Sequence, residues 1–277
     1  MRNRPSCTLI VALAALMAIS LVAFPVEAAP DPDRVFASDA EALAFLRNAE
    51  IISMEAIPVG VTRPRKVLLE LDGARAHAVF RDVDLSRELI RLSDGSLHMK
   101  LHDSALFEVA AYRLAVLLGI DNVPPAVVRR VDNTRGSLQL WVNGAMSESH
   151  RRTHSLPLPD RGKWLQQMRL MSLFDCIVGN IDRNTGNYLH ATSGKIWFID
   201  HTRGFQMFPR DWSPRAIAFL QPELWERLQG LDAETLHQTM GDVLSKFEID
   251  RLVERLDGVV THVRRQITAR GERQVIR

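Results

Sequence analysis

The sequence reads GNIDRNTGNYL over residues 179–189 and KIWFIDH over residues 195–201. The first stretch follows a strongly apolar segment that is typical of a helix, and it opens with a glycine, a common residue at a helix end. A polar loop then carries Asp182 and, five residues later, Asn187. The second stretch predicts a short apolar strand that ends in Asp200. Helix, loop and strands therefore place three oxygen-bearing side chains within a short length of chain.

The two strands predict a hairpin, because the Thr-Ser-Gly run at 192–194 is a turn signal between them. The hairpin brings Asn187 and Asp200 to the same end, where two oxygen ligands can hold a hard cation such as Mg²⁺. Asp182 in the preceding loop is then placed to orient or deprotonate an attacking hydroxyl. An isolated Asp-x4-Asn pattern is also common by chance, and an ion pair of Asp182 with Arg183 is the simple structural alternative.

The chain changes character near residue 140. Before that point five runs predict strands, whereas the segments after it are mostly typical of helices. The pattern predicts an α+β fold with a five-strand N-lobe that includes one helix, followed by a mainly helical C-lobe. The predicted strands are 51–58, 66–71, 76–81, 126–131 and 137–142, and the predicted helices are 39–48, a segment capped by Asp103 that runs to Leu118, 163–178, and two or three within 222–276.

At the quoted residues the chain resembles the protein-kinase-like superfamily. Phosphatidylinositol 3/4-kinases and four-jointed-type secretory-pathway kinases have an Asp-Arg-His-x-x-Asn loop, followed by a strand that ends in Ile-Asp. Here the match is DRNTGN from Asp182 to Asn187, followed by Ile199 and Asp200. The resemblance implies that Asp182 is the catalytic base, that Asn187 and Asp200 are metal ligands, and that the cofactors are ATP and Mg²⁺ or Mn²⁺.

The resemblance extends over most of the chain after residue 28. It implies an N-lobe over 29–137, a hinge over 138–145 and a C-lobe over 146–277. Within the hinge region, Leu140 and Val142 are implied to lie against the adenine. A loop that contains Gly60 and Thr62 is implied to lie over the phosphates, although it has one glycine where many kinases have several.

The sequence departs from the family pattern on the third strand. Arg81 stands where the family has Lys, and the resemblance implies that it pairs with Glu108 to anchor the phosphates. Arg keeps the charge, but its planar fork is larger than an ammonium group and is not an equivalent phosphate ligand. Lys66 on the neighbouring strand is a candidate substitute. Asn184 replaces the His of the catalytic loop, and His201 replaces the Phe after the metal-binding Asp.

The N-terminal segment predicts export. Arg2 and Arg4 precede an uncharged run over 7–24, and small residues stand at the positions that a signal peptidase recognises before a cut after Ala28. We therefore predict a cleaved signal peptide over 1–28 and a bacterial-type periplasmic or secreted protein. An uncleaved N-terminal membrane anchor is the alternative, since the run is near the lower limit for a span.

The composition excludes several classes of protein. The 277 residues carry a formal net charge of +2, with 46% hydrophobic and 25% charged residues, values close to those of an average globular protein. A nucleic-acid partner held by a broad basic surface would usually need a larger positive charge. The motifs of P-loop, dinucleotide-binding, esterase and zinc sites are also absent from the sequence.

Together these patterns predict an ATP- and metal-dependent phosphotransferase that acts outside the cytoplasm on the hydroxyl of an unidentified protein, lipid or small molecule. The alternative is an exported pseudokinase, which binds a ligand or partner without catalysis. Arg81, Asn184 and the export signal favour that alternative, because ATP is scarce outside the cytoplasm. Transfer of the nucleotide itself, instead of its terminal phosphate, also stays open.

Overall fold

Strands account for most of the N-lobe. The computed structural model describes residues 35–58, 62–91, 95, 97–158, 160–207 and 219–277, so the predicted signal peptide and Gly60 lie outside the described residues. In the described ranges the strands are Glu50–Ala56 (β1), Arg65–Leu71 (β2), Ala74–Arg81 (β3), Asp84–Arg91 (β4), Leu97–Ser104 (β5), Ala126–Val131 (β6), Thr134–Leu140 (β7), Met146–Ser147 (β8), Tyr188–His190 (β9) and Ile196–Phe198 (β10).

Five of these strands form the predicted antiparallel sheet, in the spatial order β1-β2-β3-β7-β6. A tight turn joins β2 and β3: Asp72 and Gly73 both have positive φ angles, 50° and 81°, as a two-residue hairpin turn of the primed type requires. Asp132 and Asn133 make the equivalent turn between β6 and β7, with φ angles of 49° and 64°. The two turns fix the register of the strand that carries Arg81.

The predicted helices form in the expected order, but the short helix Glu148–Thr153 was not predicted, and residues 222–276 form four helices where two or three were predicted. The helices are Asp39–Asn48 (α1), Leu106–Leu118 (α2), Glu148–Thr153 (α3), Arg161–Val178 (α4), Pro222–Gly230 (α5), Ala233–Met240 (α6), Lys246–Arg270 (α7) and Glu272–Val275 (α8). Within those ranges, no helix is long and apolar enough to cross a membrane.

The two larger apolar cores of the described residues do not follow the order of the lobes along the chain. One lies beneath the sheet and joins β2, β3, β6 and β7 to α1 through residues such as Phe45, Leu69 and Phe80. The other joins α2 to the C-lobe helices, so Phe107 and Leu114 lie in the same core as Phe174 and the α7 side chains. Although α2 belongs to the predicted N-lobe by sequence, its apolar residues pack into the core of the C-lobe.

A further hairpin, formed by β4 and β5 outside the five-stranded sheet, was not predicted. It pairs Asp84 with Ser104 and Leu85 with Asp103. The prediction that Asp103 caps α2 is wrong, because this residue is part of β5 and α2 begins at Leu106. The hairpin connects directly to the C-lobe, since the backbone N–H of Ser104 donates to the carbonyl of Thr202 at 2.9 Å.

Helix α4 delivers the chain to the polar loop. Asp160 caps its start by accepting hydrogen bonds from two backbone N–H groups, and Gly179 ends it in the left-handed conformation at φ 68°. A Cβ atom on Gly179 would lie 2.9 Å from the guanidinium of Arg255, which itself donates to the carbonyls of Ile177 and Val178. The buried arginine therefore closes the C-terminal end of α4 just before Asp182.

His102 joins the β4–β5 hairpin to the start of α7 and gives the first prediction. Its ring nitrogens lie 2.9 Å from Glu248 and 2.9 Å from Asp84. The hydrogen bond to Glu248, supported by Asp84, raises the pKa of His102 from 6.5 to about 9 despite the opposing effect of burial. A raised pKa in the folded state stabilises the fold fully below the unfolded-state value and loses that contribution as pH rises through the folded-state value.

The free energy of unfolding should therefore differ most between the wild type and His102→Gln below pH 6.5, and the difference should shrink as pH approaches 9. Denaturant titrations at a series of pH values measure it. Asp84→Asn is the control, because it removes one partner, keeps Glu248 and should retain part of the pH dependence. A difference that is constant over this range would contradict the prediction.

Candidate active site

The β9–β10 hairpin brings Asn187 and Asp200 together as predicted. Tyr188 pairs with Phe198, and the N–H of Ile199 donates to the carbonyl of Asn187 at 3.2 Å. The Asn187 amide nitrogen donates to the Asp182 carbonyl at 2.9 Å, which leaves its Oδ1 as the ligand atom of the amide. Asp200 has a positive φ of 58°, a conformation that non-glycine residues adopt mainly where the surroundings impose it.

Arg183 holds the loop against its neighbours. Its guanidinium pairs bidentately with Asp175 of α4, at 2.9 and 2.8 Å, and also donates to the carbonyls of Asn187 and Ile199. It donates in addition to Nε2 of His201 at 3.0 Å. The sequence left open an ion pair between Asp182 and Arg183. In the structure Arg183 pairs with Asp175 instead.

His201 extends this network to α2. Since a guanidinium only donates, Nε2 of His201 must accept, and the ring proton therefore lies on Nδ1. That nitrogen lies 3.3 Å from Oε2 of Glu108, and the His201 backbone N–H donates to Oε1 of Glu108 at 2.9 Å. The residue that replaces the family's Phe therefore positions the carboxylate on α2.

Arg81 and Glu108 come together as predicted, in a buried site. The Arg81 Nε lies 3.7 Å from Glu108, and the side chain of Gln139 bridges the two residues. Burial alone would raise the pKa of Glu108, but Arg81 and His201 hold it below its usual value, so the carboxylate is ionised. The ammonium of Lys66 lies 4.8 Å from the centre of the Trp141 ring, whereas Arg81 makes the contact with Glu108.

Asp182 forms an ion pair that the sequence did not predict. Arg203 donates to Oδ2 of Asp182 at 2.6 Å and, through Nε, to Oδ2 of Asp103 at 3.0 Å. The other oxygen of Asp103 is buried and has no hydrogen-bond partner among the described residues. Neither residue was predicted as part of the site, because the structure brings them together across about a hundred residues of chain.

A cleft of about 600 Å³ lies between the sheet and the loop. Asp182, Asn187 and Asp200 line one side of it, and Arg81 and Arg203 also reach it. Its apolar part is lined by the predicted hinge residues together with side chains of β3, β9 and the segment after β10: Val79, Leu140, Trp141, Val142, Ala145, Leu189 and Ile199. Thr62 lines the cleft as well.

The residues at the metal position fit a divalent cation. Burial raises the pKa of Asp200, and the charges of Glu108 and Asp103 raise it further against the opposing effect of Arg81. A bound cation would favour the ionised form of such a carboxylate and could also take the unpartnered oxygen of Asp103. Among the described residues no three His, Cys, Asp or Glu side chains form a complete metal site, so a cation would need further oxygens such as those of phosphates.

Comparison with solved structures identifies the fold. A Fam20 structure from hydra with sugar aligns with a TM-score of 0.63 at 17% identity, over 86% of this chain and 91% of that one. A Golgi casein kinase with Mn/ADP bound aligns at 0.62 and 14%, over 86% and 78%, and the Helicobacter pylori proinflammatory kinase CtkA at 0.52 and 12%, over 79% and 96%. The chain has a protein-kinase-like fold.

Comparisons of sequence say less about this chain than the comparisons of structure. No protein-family model matches the chain. Protein Rv2133c of Mycobacterium tuberculosis is 27% identical over 157 residues, which cover 45% of this chain and 52% of that protein. The chain therefore spans about half the length of this curated relative.

Within the kinase-like fold, the structure brings the predicted residues to one cleft, apart from Glu108, which is buried beside Arg81, and Gly60, which lies outside the described residues. Arg81 and Glu108 meet on the sheet side, Asp182, Asn187 and Asp200 on the C-lobe side, and Leu140 with Val142 at the hinge. Sequence reasoning missed Asp103, Gln139 as a bridge, and Arg203. Of these three residues, only Arg203 could have been suggested by the sequence, because it lies three residues after Asp200.

The role of Arg183 gives the second prediction. Arg183→Lys should lower the free energy of unfolding by about 3 kcal/mol, because the largely buried Asp175 would lose its bidentate donor and two backbone carbonyls would lose theirs. Urea unfolding measures the change. Arg265→Lys on the exposed face of α7 is the matched control. A loss for Arg183→Lys below about 0.5 kcal/mol, the usual range for a surface substitution, would contradict the prediction.

Proposed function

We propose that this protein is an ATP- and divalent-metal-dependent phosphotransferase of the kinase-like type. The observation that carries the proposal is the convergence of Asp182, Asn187 and Asp200 on one cleft whose other part is apolar. A kinase-like fold with such a cleft supports nucleotide binding, and a neighbour in the same fold has Mn/ADP bound. The fold alone does not define the activity, so the proposal rests on these residues.

The apolar part of the cleft suits an adenine ring. Val79, Leu140 and Ile199 provide apolar surface for the two faces of a planar base. Val142 follows the last strand of the sheet, and its backbone N–H has no hydrogen-bond partner among the described residues. A purine edge placed against the hinge would satisfy this donor, which is otherwise an unpaired polar group.

The polar part suits the phosphates and the metal. Arg81, held by Glu108 and Gln139, would supply positive charge at the phosphates, and Thr62 from the loop between β1 and β2 also lines the cleft. Asn187 Oδ1 and Asp200 would hold Mg²⁺ or Mn²⁺, with Asp103 as a further ligand. A cation bound there would neutralise charge on the phosphates.

Asp182 is proposed as the base. Its carboxylate lines the cleft, and its place in the loop is fixed by the bonds that its backbone makes to Asn180 and Asn187. An acceptor hydroxyl within hydrogen-bond distance would be oriented by this carboxylate and would pass its proton to it.

The acceptor is proposed to be a hydroxyl of a protein, lipid or small molecule. Action outside the cytoplasm is also proposed, on the sequence pattern of residues 1–28.

The third prediction tests nucleotide binding. Mg²⁺-ATP or Mn²⁺-ATP should raise the melting temperature of the protein, and Asp200→Asn should remove most of the metal-dependent part of that rise because it removes a charged ligand. Asp257→Asn, at an exposed position of α7, is the matched control and should keep the full shift. No shift in the wild type with any nucleotide and either metal would overturn the proposal.

The pseudokinase alternative is favoured by one structural observation, the ion pair of Arg203 with Asp182, because it engages one of the two carboxylate oxygens that would receive the proton. The fourth prediction separates the two functions. If the protein transfers phosphate, labelling of itself or of an added acceptor from γ-labelled ATP should fall by about 10²-fold or more in Asp182→Asn. Metal-dependent nucleotide binding should persist in that variant. Binding with no transfer by the wild type would favour the pseudokinase, and mass spectrometry of the product would reveal transfer of the nucleotide itself.

A further inference from the structure

Arg203 lies where the proposed base faces the cleft. It is three residues after Asp200, its side chain is 13% exposed, and it lines the cleft together with Asp182. Its contacts are made by two of its three nitrogens: Nε donates to Asp103, and Nη1 donates to Asp182. These two ion pairs fix the plane of the guanidinium.

The other arginines near the loop are already engaged elsewhere. Arg183 is used by Asp175, by two backbone carbonyls and by His201. Arg81 is held by Glu108 and Gln139 on the sheet side. Among the described residues, Arg203 is therefore the arginine that both reaches the cleft and contacts the proposed base.

The remaining donors of Arg203 are counted easily. A guanidinium has five N–H groups, and the two ion pairs use one on Nε and one on Nη1. The second hydrogen of Nη1 and both hydrogens of Nη2 donate to no acceptor in the described part of the chain. A group fixed by two carboxylates, with its other donors unpaired beside a cleft, is pre-organised for a ligand with several acceptor oxygens, such as a phosphoryl group.

We propose that Arg203 is a catalytic residue that donates hydrogen bonds to the terminal phosphoryl group of the nucleotide while it is held by Asp103 and Asp182. This proposal rests on the proposed function of the same site. The contact would place a fixed positive charge at the group being transferred. The same arginine side chain also contacts the proposed base. Charge that spreads over the phosphoryl oxygens during transfer would then be stabilised without reorganisation of the site.

In the transfer step, a bond forms between the acceptor hydroxyl oxygen and the terminal phosphorus. The bond from that phosphorus to the bridging oxygen breaks, and ADP leaves with its electron pair. The hydroxyl proton goes to Asp182. Arg203 stays protonated throughout, so its contribution is to bind and orient the phosphoryl group.

The test compares a nucleoside triphosphate with the diphosphate, because the proposed contact reaches only the terminal phosphoryl group. Calorimetry would measure the affinities of ADP and of an ATP analogue with a nitrogen β–γ bridge, both with Mg²⁺, for the wild type and Arg203→Gln. Loss of a charge-assisted contact should weaken the analogue by about tenfold and ADP by less than about twofold. The transfer rate from ATP should fall by about 10²-fold.

Two further variants control the result. Arg203→Lys keeps the charge that Asp103 and Asp182 require but loses the planar fork, so it should fold and show an intermediate loss of analogue affinity. Arg87→Gln removes an exposed arginine of β4 and should leave both affinities unchanged. Unchanged affinity for ADP also shows that each variant is folded.

Equal weakening of ADP and the analogue, or no weakening of either, would overturn the proposal while leaving the proposed function in place. Faster transfer in Arg203→Gln would also overturn it, since Arg203 would then restrain Asp182 instead of assisting it. Failure of the wild type to bind either nucleotide would instead overturn the proposed function, and this proposal with it.

Discussion

The guanidinium of Arg183 is the contact on which the site depends. In one plane it reaches α4 through Asp175, the loop and β10 through two backbone carbonyls, and α2 through His201. Because each of these groups is fixed to the same side chain, the parts of the chain that carry Asp182, Asp200 and Glu108 cannot move independently. A rigid arrangement of this kind is what a reaction without covalent intermediates requires, since positioning is the main contribution of the protein.

Charge is distributed through the same network. Arg81, Arg183 and Arg203 are paired with Glu108, Asp175, Asp182 and Asp103. Burying an ion is costly unless it has a partner, and these pairs meet that requirement. The excess is negative and lies at Asp200 and the second oxygen of Asp103. A cation bound beside Asp200 and Asp103 would balance this negative charge.

Features formed by residues close together in the chain could be predicted from the sequence, whereas contacts between distant residues could not. The hairpin, its turn and the spacing from Asp182 to Asn187 are local, and the structure confirms their placement. The β4–β5 hairpin was missed because β4 breaks the alternation of apolar and polar residues that identifies a half-buried strand, although β5 alternates Leu97, Met99 and Leu101 with polar residues. Asp103 and Arg203 were missed because their roles arise from a contact across a hundred residues, and no local pattern encodes such a contact.

The division of the apolar cores determines which contact a motion of the two lobes would change. The sheet and α1 share one core, whereas α2 belongs to the core of the C-lobe. If the sheet rotates as a body to widen the cleft, α2 stays with the C-lobe, and Glu108 keeps its distance from His201. Arg81 moves with β3, so the 3.7 Å contact between Arg81 and Glu108 is the one that lengthens. Such a motion would change the contact of Arg81 with Glu108 while the proposed metal-binding residues Asn187 and Asp200 keep their geometry.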